Sequence, residues 1–311
     1  MSESTTVSSI EPMVTVGMPV RNCERYLAQA IDSVLAQSLS AFELIVSDNA
    51  STDTTPSIVK HYMQRDARIR YQSFDSNQGV SANWNAVVLA GRGRYFKWLA
   101  GSDEMAPDLL EQCVRTLETQ PDVVLAYGRT RWIDAEGRSL DVCDKDFAVL
   151  GDSPAQRFGQ QARDLSINNQ INAGVIRLDA LRQTRLLGRF PTDDLVLMAE
   201  LALRGKILLL PQVLFRRRSG AEVSTPNRMP LQTALHHNPH ATRPIRFLSL
   251  RRQAARYAAC WHAPLSLGER LRALLVATGL LVGAWRRRQA CALGWLSTRP
   301  GAGSRNAAPP R

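Results

Sequence analysis

The chain has 311 residues, 44% of them hydrophobic, which supports one sizeable core and excludes global disorder. Its five cysteines, at 23, 113, 143, 260 and 291, form neither a CxxC pair nor a regular framework, which argues against an exported disulfide scaffold and for cytosolic thiols. The formal charge of +11 belongs to the C-terminal third: residues 1–205 hold 21 Lys and Arg against 26 Asp and Glu, whereas residues 206–311 hold 18 against 2.

In chain order, the opening MSESTTVSSIEPM has no basic region followed by an apolar run, so no signal peptide is read there and a cytoplasmic location is expected. MVTVGMP at 13–19 predicts a buried strand ended by Pro19. Asn22 is placed to cap a helix from Glu24 to about Gln37, with Leu27, Ile31, Val34 and Leu35 on one side. ELIVSD at 43–48 predicts a second strand, and DNASTD a turn into a helix at about Thr55–Arg65. Strand, helix, strand, helix in this short span is the rhythm of a parallel α/β sheet.

IRYQS at 69–73 predicts a third strand, the SNQG turn leads to a helix at about 80–90, and RYFKWLA at 94–100 predicts a fourth strand ended by the acidic loop GSDEMAPD. A helix over Leu109–Thr119 and a strand VVLAYGR at 123–129 follow. Open α/β sheets place ligands beyond the C-terminal ends of their strands, so Arg21, Asn22, Asp48 and Asp103 are predicted neighbours in space. Residues 136–170 are polar and weakly periodic and read as a long functional or mobile loop. AGVIRL at 173–178 predicts a short strand, TDDLVLMAELALRG at 192–205 an acidic-capped helix, and KILLLPQVLFRRR a final strand ending in a basic cluster.

The stretches VTVGMPVRNCERYLAQAIDSVLAQSLSAFELIVSDNASTDTT, NQGVSANWNAVVLAGRGRYFKWLAGSDEMAPDLLEQC and FPTDDLVLMAELALRGKILLLPQVLFRRR resemble, in this order, glycosyltransferase family 2, over roughly residues 13–224. The resemblance implies a GT-A fold, a Rossmann-like and mostly parallel central sheet flanked by helices, and inverting sugar transfer from a nucleotide-diphosphate donor. It implicates Pro19 and Arg21 at the nucleotide and Asp48 at the base, where a carboxylate accepts from a base N–H. Asn77 and Asn85 match a donor-side loop and the start of the next helix, with Arg94 near in sequence; capping and turn formation are the alternative uses of both asparagines.

Aligned on Pro107, the family's acidic metal cluster falls on Ala100, Gly101, Ser102 and Asp103, so one carboxylate remains. The resemblance makes Asp103 the ligand of Mg²⁺ or Mn²⁺ against the donor diphosphate, with Ser102 at the donor and Glu104 either assisting or lying on the surface. The family's histidine after the final strand is matched by Arg218, which cannot ligate metal while charged; it is read either as a diphosphate clamp or as part of a membrane-facing basic run. The family's base aspartate falls on Asp193 or Asp194. The Glu-Asp pair favours Asp194 as general base, with Asp193 orienting it or the acceptor, and Glu200 replaces the family's arginine on that helix. Both aspartates also suit a plain helix N-terminus. Trp132 is read as an acceptor-side stacking platform and Trp98 as core.

LRALLVATGLLVGAW at 271–285 is shorter than the ~20 residues of a spanning helix, and Arg270, Arg272 and Arg286–Arg288 flank it. It suits a re-entrant or interfacial helix on anionic lipid at the inner face of the cell membrane; a helical hairpin on the domain or a homodimer contact is the alternative. Nothing accompanying the basic charge resembles a nucleic-acid-binding signature, so no nucleic acid partner is expected. The expected organisation is a disordered leader at 1–12, a catalytic domain at 13–224, a basic helical extension at 225–298 and a disordered tail at 299–311. Two functions stand: a peripheral transferase acting on a lipid-linked or polysaccharide acceptor, and a degenerate transferase-like binding or assembly subunit.

Overall fold

The computed structural model describes residues 11–143, 146–163, 173–219, 235–236, 239–240, 242–243 and 247–295, the segment 284–295 through its backbone only. Most of the expected leader, the expected boundary at 224/225, the tail at 299–311 and the side chains of Arg286–Arg288 lie outside the described residues.

The first half is a doubly wound α/β unit. Strands β1 (Val14–Val20), β2 (Phe42–Asp48), β3 (Ile69–Ser73) and β4 (Tyr95–Trp98) alternate with helices α1 (Leu27–Leu35), α2 (Thr55–Met63) and α3 (Val80–Ala90). All residues of β1 and β2 are buried, because helices cover both faces of the sheet. The strands pair in parallel, Pro19 opposite Ser47 and Val20 opposite Asp48, which sets the ends of β1 and β2 side by side. Gly17 is required by the closeness of this packing: a Cβ there would stand 2.6 Å from Phe96 and 2.7 Å from Val87.

The second half turns the sheet mixed. After β5 (Glu104–Met105) and α4 (Leu109–Thr119) come β6 (Val123–Ile133), β7 (Ser139–Val142), α5 (Pro154–Arg163), β8 (Val175–Arg177), α6 (Leu178–Arg182), α7 (Asp193–Arg204) and β9 (Lys206–Arg218). The order is β3-β2-β1-β4-β8-β6-β9-β5, with β7 on β6; β8 runs antiparallel to both β4 and β6, and β9 parallel to β6. Pro211 falls at a register shift between β6 and β9, where a residue without an N–H is tolerated.

The predicted long loop at 136–170 resolves, within its described part, into β7 and α5. Helix α5 was hidden in the sequence because polar side chains form part of its buried face. Arg157 is buried and donates Nε–H to Ala202 O at 2.9 Å, and Gln161 is buried beside Phe158. Asn22 does not cap α1. It adopts φ 53° and accepts at Oδ1 from the Thr52 N–H, while α1 starts after Tyr26 without a side-chain cap.

Helices α8 (Leu248–His262) and α9 (Leu267–Trp295) form the C-terminal extension. Small residues Ala259, Cys260, Ala263, Ala273 and Ala277 let them approach Phe158 of α5 and Ala199 and Leu203 of α7 closely. Gln253 ties α8 to α9 through Ala277 O at 2.9 Å, and Arg185 reaches Ala255 O at 2.6 Å. The extension is thus packed on the helix that begins with Asp193. No helix among the described residues is long and apolar enough to cross a membrane.

Candidate functional site

The C-terminal ends of β1 and β2 and the start of α3 enclose a cavity of ≈ 580 Å³, a size suited to a small-molecule ligand. Pro19, Arg21 and Asn77 line it together with Asn49, Asn83 and Trp84; Leu235 and His236 close another side. Gly79, at φ 87°, makes the turn into α3 that a side chain would strain.

Asn49 was missed in the sequence, although it stands next to Asp48 in the same turn. Its amide donates to Asn77 Oδ1 at 2.8 Å and its Oδ1 accepts the Gln78 N–H at 2.7 Å, fixing the cavity wall. Asn83 was missed too, since on a helix read by apolar spacing one more asparagine carries no signal. It is 4% exposed, donates Nδ2–H to Val20 O at 3.2 Å, and among the described residues its Oδ1 has no partner; the residue stands on the cavity wall.

Asp48 is buried behind this wall. Oδ1 accepts from the Ser51 N–H and hydroxyl and Oδ2 from the Tyr71 hydroxyl at 2.9 Å, so the carboxylate holds the β2 turn. Asn85 also points away from the cavity: its amide donates to Leu187 O at 2.8 Å and accepts the Leu187 N–H at 3.0 Å, fastening the loop ahead of α7. Arg94 sits at the opposite end of the sheet, paired with Glu118 at 2.9 Å. Trp98 is core, its Nε1–H given to Trp84 O.

The first turn of α7 carries the two aspartates. Asp193 is 6% exposed; Oδ2 accepts from the Ser81 hydroxyl at 3.0 Å and Oδ1 from the Asp194 N–H at 2.9 Å. Burial pushes its carboxyl up to about 7, with the Asp194 charge adding to the rise and the Ser81 bond opposing it. Thr192 before it holds φ 68°, costly for a β-branched residue, and its buried Oγ1 has no partner among the described residues. Asp194 is half-buried, with Oδ1 accepting the Leu195 N–H. Glu200 is buried between Arg185 at 3.3 Å and Arg204 at 3.7 Å, away from solvent.

A second cavity of ≈ 240 Å³ shares Arg21 with the first and is bounded by Arg25, Tyr26, Gly101 and Ser102. Behind it lie Asp103 and Arg218. Arg218 is 2% exposed and all five of its side-chain N–H bonds are committed: Nε to Ser102 O, one terminal nitrogen to Asp134 O and Ala135 O, the other to Gln29 Oε1 and Glu104 Oε1, between 2.7 and 3.0 Å. Its plane also covers the Tyr26 ring at 4.3 Å. With no donor left, Arg218 is a structural tie, which corrects both of its expected uses, as a diphosphate clamp and as a membrane-facing charge.

Asp103 Oδ1 accepts the Arg218 backbone N–H at 3.0 Å. Burial raises its carboxyl above the usual range, opposed by the charges of Arg217, Lys97 and Arg218 and by that backbone bond. Glu104 is held by Arg218 at 2.7 Å and Arg216 at 3.6 Å. Among the described residues no three His, Cys, Asp or Glu side chains converge on one point. One carboxylate surrounded by cationic side chains does not fit a resident Mg²⁺ or Mn²⁺, which needs several oxygen donors and a negative field. Trp132 pairs in register with Arg217, whose guanidinium lies 5.6 Å from its ring centre.

A sheet that is parallel around β1 and β2, becomes mixed beyond β4 and holds a polar cavity at its strand ends defines a GT-A-type fold. Residues 15–153 match the family model described as glycosyl transferase family 2. Chondroitin synthase of Escherichia coli is 30% identical over 138 residues, 44% of this chain and 20% of that protein, so the chain spans about a fifth of that relative's length. Among solved structures, residues 1–349 of S. aureus TarS in complex with UDP superpose with a TM-score of 0.59 at 13% identity, over 83% of this chain and 68% of that one. The mannosyltransferase PcManGT from Pyrobaculum calidifontis, in complex with GDP-Man and Mn²⁺, gives 0.50 at 17% identity over 92% and 81%. The fold is of the GT-A type, and residues 15–153 of the chain are similar to glycosyltransferase family 2.

Proposed function

We propose that the chain is an inverting glycosyltransferase that moves a sugar from a nucleotide-diphosphate donor to a hydroxyl of a lipid-linked or polysaccharide acceptor. The observation that carries this reading is the continuity between the ≈ 580 Å³ cavity and the aspartate pair, made by the start of α3: Val80 and Asn83 line the cavity while Ser81 bonds Asp193.

In this reading the nucleotide lies against Pro19, Asn49 and Asn77, and Asn83 Oδ1 accepts a donor N–H or O–H. Asp194 takes the proton of the acceptor hydroxyl as its oxygen bonds the anomeric carbon, and the bond from that carbon to the diphosphate oxygen breaks on the opposite face. The nucleoside diphosphate leaves with the bonding electrons. Asp193 holds the Asp194 backbone, and Trp132 offers an aromatic face to the acceptor. Asp48 and Asn85 support the cavity and the α7 loop by the bonds that they make.

The reading also places the protein on the inner face of the cell membrane through α9. Leu267, Leu271 and Leu275 are exposed at a four-residue spacing, and Arg251, Arg252, Arg270 and Arg272 lie on the same two helices. Such a stripe beside basic side chains suits an anionic lipid surface.

Calorimetric titration with UDP, GDP and dTDP, followed by turnover and NMR assignment of product anomeric configuration, tests the proposal. Binding of one nucleotide with inversion supports it. A second reading, a degenerate binding or assembly subunit, is favoured by Ala100 and Ser102 standing where the family's acidic cluster is expected; nucleotide binding without turnover on any acceptor establishes it.

A further inference from the structure

We infer that donor binding in this chain is independent of divalent metal, and that arginine, chiefly Arg21 and Arg217, meets the charge of the diphosphate. The inference rests on the donor-site reading above and concerns only how that site handles negative charge.

Two observations carry it. The first is the chemistry around Asp103. Its carboxylate is the single acidic group not held by a side-chain ion pair at the end of β4, it already accepts the Arg218 N–H, and the charge of Arg217 acts on it more strongly than any other. Glu104, next in sequence, is ion-paired to Arg218 and Arg216. A divalent ion arriving here meets one partly satisfied oxygen ligand and two guanidinium charges that repel it, whereas a phosphate meets the reverse.

The second is the position of the remaining basic side chains. Arg21 lines both cavities, so it stands where a ligand that fills one extends into the other. Among the described residues its guanidinium makes no hydrogen bond or ion pair, while Arg218 deeper in the wall is fully committed. Arg217 is half-buried, stacked over Trp132 and beside Asp103. A guanidinium keeps its charge at every physiological pH and grips phosphate oxygens in pairs, which suits it to this use.

The test is calorimetry of UDP and GDP binding to the full chain in EDTA and in Mn²⁺, on the parent and on Asp103→Asn, Arg21→Ala and Arg217→Ala, with thermal melts to verify folding. The expected result is affinity equal within about twofold in the two buffers, little change in Asp103→Asn, which keeps an oxygen acceptor for the Arg218 N–H, and about tenfold weaker binding in each folded arginine variant. Binding that appears only with Mn²⁺ and is lost in Asp103→Asn overturns the inference and leaves the donor site standing. Unchanged affinity in both arginine variants also overturns it. No binding of either nucleotide in either buffer overturns the inference and the donor-site reading together.

Discussion

Arg218 and Glu104 face each other at 2.7 Å across the junction of β9 and β5, inside a wall that admits almost no solvent to the guanidinium. Their bond, with the four others that Arg218 donates, fastens the 101–105 loop to the sheet. Arg218→Met is expected to lower unfolding free energy by about 3 kcal/mol, because it strands several carbonyls and takes from the half-buried Glu104 carboxylate its nearer partner. Arg218→Lys is expected to recover little of this, since an ammonium cannot span the same acceptors. Urea unfolding of the three proteins measures both.

Lys97 lies fully buried on β4, its Nζ donating to Trp98 O at 2.7 Å and resting 4.5 Å from the centre of the Phe215 ring. Burial pulls its ammonium from 10.5 down to about 7. Between these values the unfolded chain binds more protons than the folded one, so the penalty is complete below pH 7 and is relieved as pH rises toward 10.5. The difference in unfolding free energy between the parent and Lys97→Met is expected to move in the parent's favour by up to roughly 1.4 kcal/mol per pH unit across pH 7.5–9.5. At pH 7 the methionine variant is expected to be the more stable. A difference that stays flat with pH rejects the assignment.

Asp194→Asn is expected to reduce kcat by about 10²–10⁴-fold with nucleotide affinity unchanged, as loss of a general base requires. Asp193 has the opposite linkage from Lys97: with its carboxyl raised from 3.8 to about 7, the stability it contributes is present below pH 4 and is lost as pH rises through 7. Asp193→Asn should therefore flatten the pH dependence of stability between 4 and 7 relative to the parent. Melts across that range measure this without any substrate.

Asn83→Ala removes an unpaired buried acceptor from the cavity and leaves the Val20 carbonyl without its side-chain donor. Nucleotide or donor binding is expected to weaken by about tenfold, with a stability change near 1 kcal/mol. Full affinity in a folded variant removes Asn83 from the donor site.

Leu271→Ser with Leu275→Ser alters side chains that are 53% and 71% exposed, so the melting temperature should hardly move. Sedimentation with vesicles rich in anionic lipid is expected to fall several-fold, because the apolar area available to the interface is lost. Equal sedimentation of variant and parent rejects the lipid-facing reading of α9.

Apolar spacing alone locates β1, β2, α4, α7 and β9 within a few residues of where they stand, because burial on one or both faces writes itself into spacing. The parallel α/β rhythm also brings the ends of neighbouring strands together, as Val20 opposite Asp48 shows. Which way a polar side chain points was decided only by tertiary structure. Asp48, Asn85 and Arg218 have the residue types a ligand site needs, but each meets protein acceptors or donors from segments remote in sequence, and a buried polar group must take whatever partners the fold provides. Asn83 is the reverse case: among the described residues its oxygen on the cavity wall meets no partner. Helix α5 and the two-residue β5 were likewise decided in three dimensions, the first because a buried arginine and glutamine break its pattern, the second because it exists only through pairing with β9.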